Sequence, residues 1–145
     1  MRRLVPALAI ALTLASCSDP APGGVAVDDA IVTLPAVAGR PGAAYFRLQT
    51  NVENVVLTGI SSPRVGRIEL HETMAHGTMS SMRPIGEIAL GREPLAFEPG
   101  GRHAMLFEIE PGVVVGGRLS LTLAFRGAPP VTVEAEVRAP GDVRR

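Results

Sequence analysis

Three histidines and five methionines are the soft-ligand chemistry this 145-residue chain has to offer, and apart from Met1 all of them fall between positions 71 and 105. They are His71, Met74, His76, Met79, Met82, His103 and Met105. A single methionine is usually a gap-filler in a core, but seven such residues in so short a stretch point to metal chemistry. Two neutral imidazoles with two thioethers favour Cu(I) over zinc, magnesium or calcium. A blue-copper electron-transfer site needs a cysteine thiolate, and the one cysteine, Cys17, lies far away in a leader-like segment.

Spacing suggests how the donors converge. In His103-Ala104-Met105 the first and third side chains of a strand project to one side about 6.6 Å apart, so imidazole and thioether can reach one atom. The preceding Glu98-Pro-Gly-Gly-Arg102 reads as a turn that delivers His103 at a strand start. A two-residue hairpin turn at His76-Gly77 predicts that facing positions sum to 153. His71 then faces Met82, Met74 faces Met79, and the two pairs lie on opposite faces. The candidate ligands are therefore His71, Met82, His103 and Met105, with His76 and Met79 as a possible secondary station for copper. Glu69 and Glu72 read as solvated strand charges, either of which could orient an imidazole. His71-Glu72-Thr-Met-Ala-His76 imitates the HExxH zinc-protease signature, but it has three residues after Glu rather than two and lacks a helix.

The elements that must position these residues read as strands. Thirteen prolines and sixteen glycines interrupt almost every stretch long enough for a helix, leaving short alternating runs between turns. Predicted strands are Val25–Leu34, Ala43–Thr50, Val55–Ser61, Arg67–Glu72, Met79–Pro84, His103–Glu110, Arg118–Arg126 and Val131–Val137. Leu119, Leu121, Leu123 and Phe125 share one face of their strand, as do Val131, Val133, Ala135 and Val137. An antiparallel sandwich or barrel is expected, with no internal repeat.

Hydrophobic residues make up 46% and charged residues 19%, which fits one folded domain and excludes a disordered chain. Fourteen basic residues, all arginine, balance fourteen acids, so no nucleic-acid partner is expected and lysine-dependent chemistry is excluded. One cysteine permits no internal disulfide and no thiolate zinc site. Arg2 and Arg3 precede the apolar run Leu4 to Ala15, too short for a permanent membrane span; it reads as a signal peptide. Its end, Leu14-Ala-Ser-Cys17, resembles the bacterial lipobox. This implies lipidation of Cys17, a membrane anchor and, since Ser18 rather than Asp follows, the outer membrane in preference to the inner. The expected organisation is a signal peptide at 1–16, a tether at 17–24, a β-domain at 25–138 and a flexible tail at 139–145.

Arg67-Ile-Glu-Leu-His71, Met79-Ser-Ser-Met82-Arg83-Pro84 and Glu98-Pro-Gly-Gly-Arg-His103-Ala-Met105-Leu106 together resemble the periplasmic copper chaperones with the H-x10-M-x21-H-x-M motif. The resemblance spans roughly 43 to 137, including Ala44-Tyr45-Phe46 and Gly117-Arg-Leu-Ser-Leu-Thr-Leu. Here twenty residues separate Met82 from His103, one fewer than the motif, a loss expected in the connection between Gly86 and Pro99. The resemblance implies an all-β fold, a cupredoxin-like Greek-key β-sandwich. It places His71, Met82, His103 and Met105 on the Cu(I) ligands and implies a carrier, not an enzyme, on the periplasmic face of a bacterial membrane. Its implied partner is a copper-accepting respiratory oxidase subunit, notably one bearing a CuA centre, or another copper assembly factor. Copper scavenging or storage is the alternative, and a copper-dependent redox enzyme is disfavoured because no oxygen-activating site is marked.

Overall fold

The computed structural model describes residues 24–143; the expected signal peptide, Cys17 and all but the last residue of the tether lie outside them. Ten strands account for the described fold: β1 (Val25–Thr33), β2 (Gly42–Thr50), β3 (Val56–Ser61), β4 (Val65–His76), β5 (Met79–Pro84), β6 (Ile88–Ala89), β7 (Leu95–Phe97), β8 (Arg102–Ile109), β9 (Arg118–Arg126) and β10 (Val131–Arg138). All eight predicted strands are present. The short β6 and β7 were not foreseen, because two or three residues are too few to show an alternation. Among the described residues no helix is long and apolar enough to cross a membrane.

The strands pair in the order β5-β4-β8-β2-β1-β10-β9-β3-β6, with β7 also on β2. Every pair is antiparallel except β1 with β10. The chain crosses between the two halves of this path at β2 to β3, β3 to β4, β5 to β6, β6 to β7 and β8 to β9, the over-and-back connectivity of a Greek key. Alternating side chains from both halves meet in one core: Val32, Phe46, Leu48, Leu57, Phe97, Leu106, Leu119, Leu121, Leu123 and Val137 are almost fully buried. Phe46 and Phe97, cross-strand partners on β2 and β7, stack with ring centres 4.4 Å apart.

Two features bear on the site. β7 and β8 lie one after the other along the same edge of β2, joined by the predicted turn over 98–101. Gly100 takes φ +80° there, and the turn closes with Gly101 N–H on the Glu98 carbonyl (3.0 Å) and Glu98 N–H on the Arg102 carbonyl (2.8 Å). Second, the β4–β5 hairpin corrects the expected register. His76 faces Met79, Thr73 faces Met82, and His71 faces Pro84, so facing positions sum to 155 and the loop is Gly77-Thr78. The reason is backbone conformation. The loop's first residue has φ +62°, which glycine adopts freely and a histidine there would not. The expected pairs His71–Met82 and Met74–Met79 are therefore not direct partners. Because the slip is two residues, every side chain keeps its face.

Candidate metal centre

The core side of β4, β8 and β2 carries Leu70, Ala104, Leu106, Ala44 and Phe46. Alternation sends His71, His103, Met105, Ala43 and Tyr45 to the outer side. His71 and His103 are direct cross-strand partners, and Met105 is the next outward residue on β8, facing Glu69. Met82 joins from β5 as a diagonal neighbour of His71, about 7–8 Å away by backbone geometry and within reach of a long side chain. Met82, His103, Met105, Thr73, Tyr45 and Ala43 line a single open cleft. The four ligands read from sequence thus come together on one face, centred on β4.

Each imidazole is oriented so that one nitrogen is left over. The His103 Nδ1–H donates to the Gly101 carbonyl at 3.2 Å. A carbonyl can only accept, so the proton is on Nδ1 and Nε2 keeps its lone pair. The same Gly101 carbonyl accepts the Thr73 N–H at 3.0 Å, locking the turn to β4. The His71 Nε2 lies 3.1 Å from Glu69 Oε2, and a carboxylate likewise accepts, which leaves the Nδ1 lone pair unused. That Nδ1 is buried and has no hydrogen-bond partner. An orphaned buried acceptor is costly, and a metal ion is one partner that would satisfy it. The two ring centres lie 6.1 Å apart across the paired strands.

Burial is graded across the donors. His103 is 7% exposed and the His71 side chain 13%; Met105 is intermediate, and Met82 is 61% exposed. The nitrogens form a fixed floor and Met82 an accessible rim. Beside them Tyr45 is half-buried, and burial pushes its phenol above the ordinary range, which keeps a neutral hydroxyl rather than a hard phenolate at the cleft. Among the described residues no group of three or more His, Cys, Asp or Glu is placed to hold a metal, so a metal site on this face would have to draw on thioethers as well as imidazoles.

A family model matches residues 25–137, the whole strand region but its last residue. The chain belongs to the LpqE-like family. The description that the family model carries is "Putative lipoprotein LpqE-like". Among curated proteins, the uncharacterized protein RP573 of Rickettsia prowazekii is 31% identical over 86 residues, covering 57% of this LpqE-like chain and 48% of RP573; the chain spans about half the length of that relative. Among solved structures, the copper-bound PCuAC domain from PmoF2 superposes with a TM-score of 0.65 at 22% identity, covering 81% of this chain and 95% of that one. The Cu(I) form of DR1885 from Deinococcus radiodurans gives 0.66 at 23% identity, covering 88% and 85%. These likenesses establish the fold as that of the PCuAC domains.

Sequence reasoning treated Glu69 and Glu72 alike, and the structure separates them. Glu72 is engaged by Arg83 at 3.0 Å and Arg102 at 3.5 Å. Glu69 holds His71, and is itself held by Arg67 at 3.0 Å, whose guanidinium lies 4.5 Å over the Phe107 ring. The signal was present in the i, i+2 spacing of Arg67, Glu69 and His71 on one strand face. Glu69→Gln keeps the shape but can turn its amide NH2 toward Nε2, favouring the tautomer with the proton on Nδ1. The expected result is metal affinity roughly 10–100-fold lower with unchanged thermal stability, read by competition with a chromophoric Cu(I) chelator; unchanged affinity would refute the positioning role.

Proposed function

We propose that this LpqE-like protein is a non-enzymatic Cu(I) carrier that takes up copper at His71, Met82, His103 and Met105 and surrenders it by ligand exchange. The observation that carries the reading is the buried, partnerless Nδ1 of His71 facing His103, whose Nε2 is likewise left over, with two thioethers on the same face. The copper-bound and Cu(I) states named for two proteins of the same fold support it. Thioethers and neutral imidazoles hold Cu(I) without a charged ligand that must be abandoned on release. Exposed Met82 is the donor an incoming thiolate displaces first, Met105 the next, while the two histidines retain the ion through the intermediate.

The proposed setting is the periplasmic face of a bacterial membrane, with lipidated Cys17 as the anchor and the outer membrane favoured; the family's lipoprotein description supports an anchor. The proposed recipient is a respiratory oxidase subunit bearing a CuA-type dithiol, or another copper assembly factor. Anaerobic reconstitution followed by copper K-edge absorption tests the site: mixed nitrogen and sulfur donors at one copper are expected. Transfer to a reduced CuA-type acceptor tests the role. A site with oxygen and nitrogen donors alone, or loaded protein that leaves the acceptor unmetallated, defeats the proposal, and an unmodified Cys17 in the mass spectrum of the mature protein defeats the anchor.

A further inference from the structure

The β4–β5 hairpin carries soft donors on both faces, and only one face belongs to the site above. Opposite His71 and Met82, the corrected register makes His76 and Met79 direct cross-strand partners at the last pair before the loop. Their Cβ atoms are therefore about 4.5–5.5 Å apart by backbone geometry. Met74 precedes His76 by two residues and so shares its face; it faces Ser81 and is diagonal to Met79.

Three observations separate this trio from ordinary packing. Met79 is 76% exposed, so it fills no gap in a core. β5 is the edge strand and all six of its residues are exposed, which leaves the hairpin end open to a metal or a metal donor. Two residues before Met74 on the same face, the Glu72 carboxylate is occupied by Arg83 and Arg102, so it adds no hard oxygen donor. One imidazole and two thioethers remain.

We infer that Met74, His76 and Met79 form a second site for a soft monovalent ion, Cu(I) or Ag(I), at the end of the hairpin on the face opposite His71 and Met82. With three donors, His76 and Met79 exposed and Met74 partly so, in place of four that include two largely buried imidazoles, it holds the ion more weakly than the first site and exchanges it faster. Both sites draw on the β4–β5 hairpin, so the hairpin offers ions a second station at its loop end, beside the one it shares with β8. The binding itself rests on the trio's geometry and not on the carrier role.

Ag(I) titration of the full chain without oxygen or thiols, followed through 13C-labelled methionine methyls and the histidine ring protons, tests the inference. The first equivalent is expected to move Met82 and Met105; the second, bound at least about tenfold more weakly, moves Met74, Met79 and His76. The double variant His76→Gln with Met79→Leu changes only exposed side chains, so it should fold normally, keep the first transition and lose the second. Saturation at one equivalent with Met74, Met79 and His76 unmoved overturns the inference. Movement of the trio with Met82 and Met105 unmoved would uphold the second site and instead defeat the carrier proposal.

Discussion

His103→Ala is expected to lower Cu(I) affinity by at least ~10³-fold, about 4 kcal/mol, while the copper-free chain stays folded. The side chain is 7% exposed and sits on the outer face of β8, backed by Ala104 and Leu106 in the core, so its removal costs the apolar interior nothing. What it removes is the nitrogen whose direction is fixed by Gly101 and which faces His71 across the strands. No other described imidazole can substitute, since His76 lies on the opposite face. Met82→Leu forms the graded comparison. Its thioether is largely in solvent, so losing it should weaken binding less and should speed loss of copper to a competing chelator. Met74→Leu should leave the first site's affinity unchanged. Chelator competition with circular dichroism on the same samples decides the matter: equal losses from Met82→Leu and Met74→Leu, or full affinity in His103→Ala, would show that these side chains do not share one site as described.

Phe97→Ala is expected to cost ~3–5 kcal/mol of stability, or roughly 10–20 °C in melting temperature. Phe97 has no exposed surface and stacks on Phe46 at 4.4 Å. It also ends the short strand that leads directly into the turn over 98–101, so its ring fixes where that turn, the Gly101 carbonyl and His103 sit. Copper affinity measured well below the melting transition should therefore fall as well, although Phe97 packs on the core side of the sheet with Phe46. Phe97→Leu, which keeps much of the volume, should recover most of both. Urea unfolding monitored alongside Cu(I) competition provides the check; a loss below ~1 kcal/mol in Phe97→Ala would show that the stacked pair does not anchor this part of the sheet.

That the four candidate ligands share one face was legible in the sequence, because it depends on periodicity. Strand alternation ties His103 to Met105, and the odd sum of His71 and Met82 holds them on one face whether facing positions sum to 153 or 155. The same parity separates His71 from His76 and disposes of the protease-like spacing. The turn over 98–101 and the extents of β5 and β9 were equally readable, from proline and glycine at fixed positions and from unbroken alternation. Register was not, because it hung on which two residues formed the hairpin loop. Gly77 at the loop's first position decided that through its positive φ. β6 and β7 stayed invisible since their pairing with β3 and β2, not any local pattern, makes them strands. Only the tertiary structure could say that Glu69 rather than Glu72 holds His71, or that Gly101 holds His103. Which carboxylate an arginine claims, and which ring nitrogen is left with its lone pair, depend on distances between strands far apart in the chain, and those are set by the packing of the whole sheet.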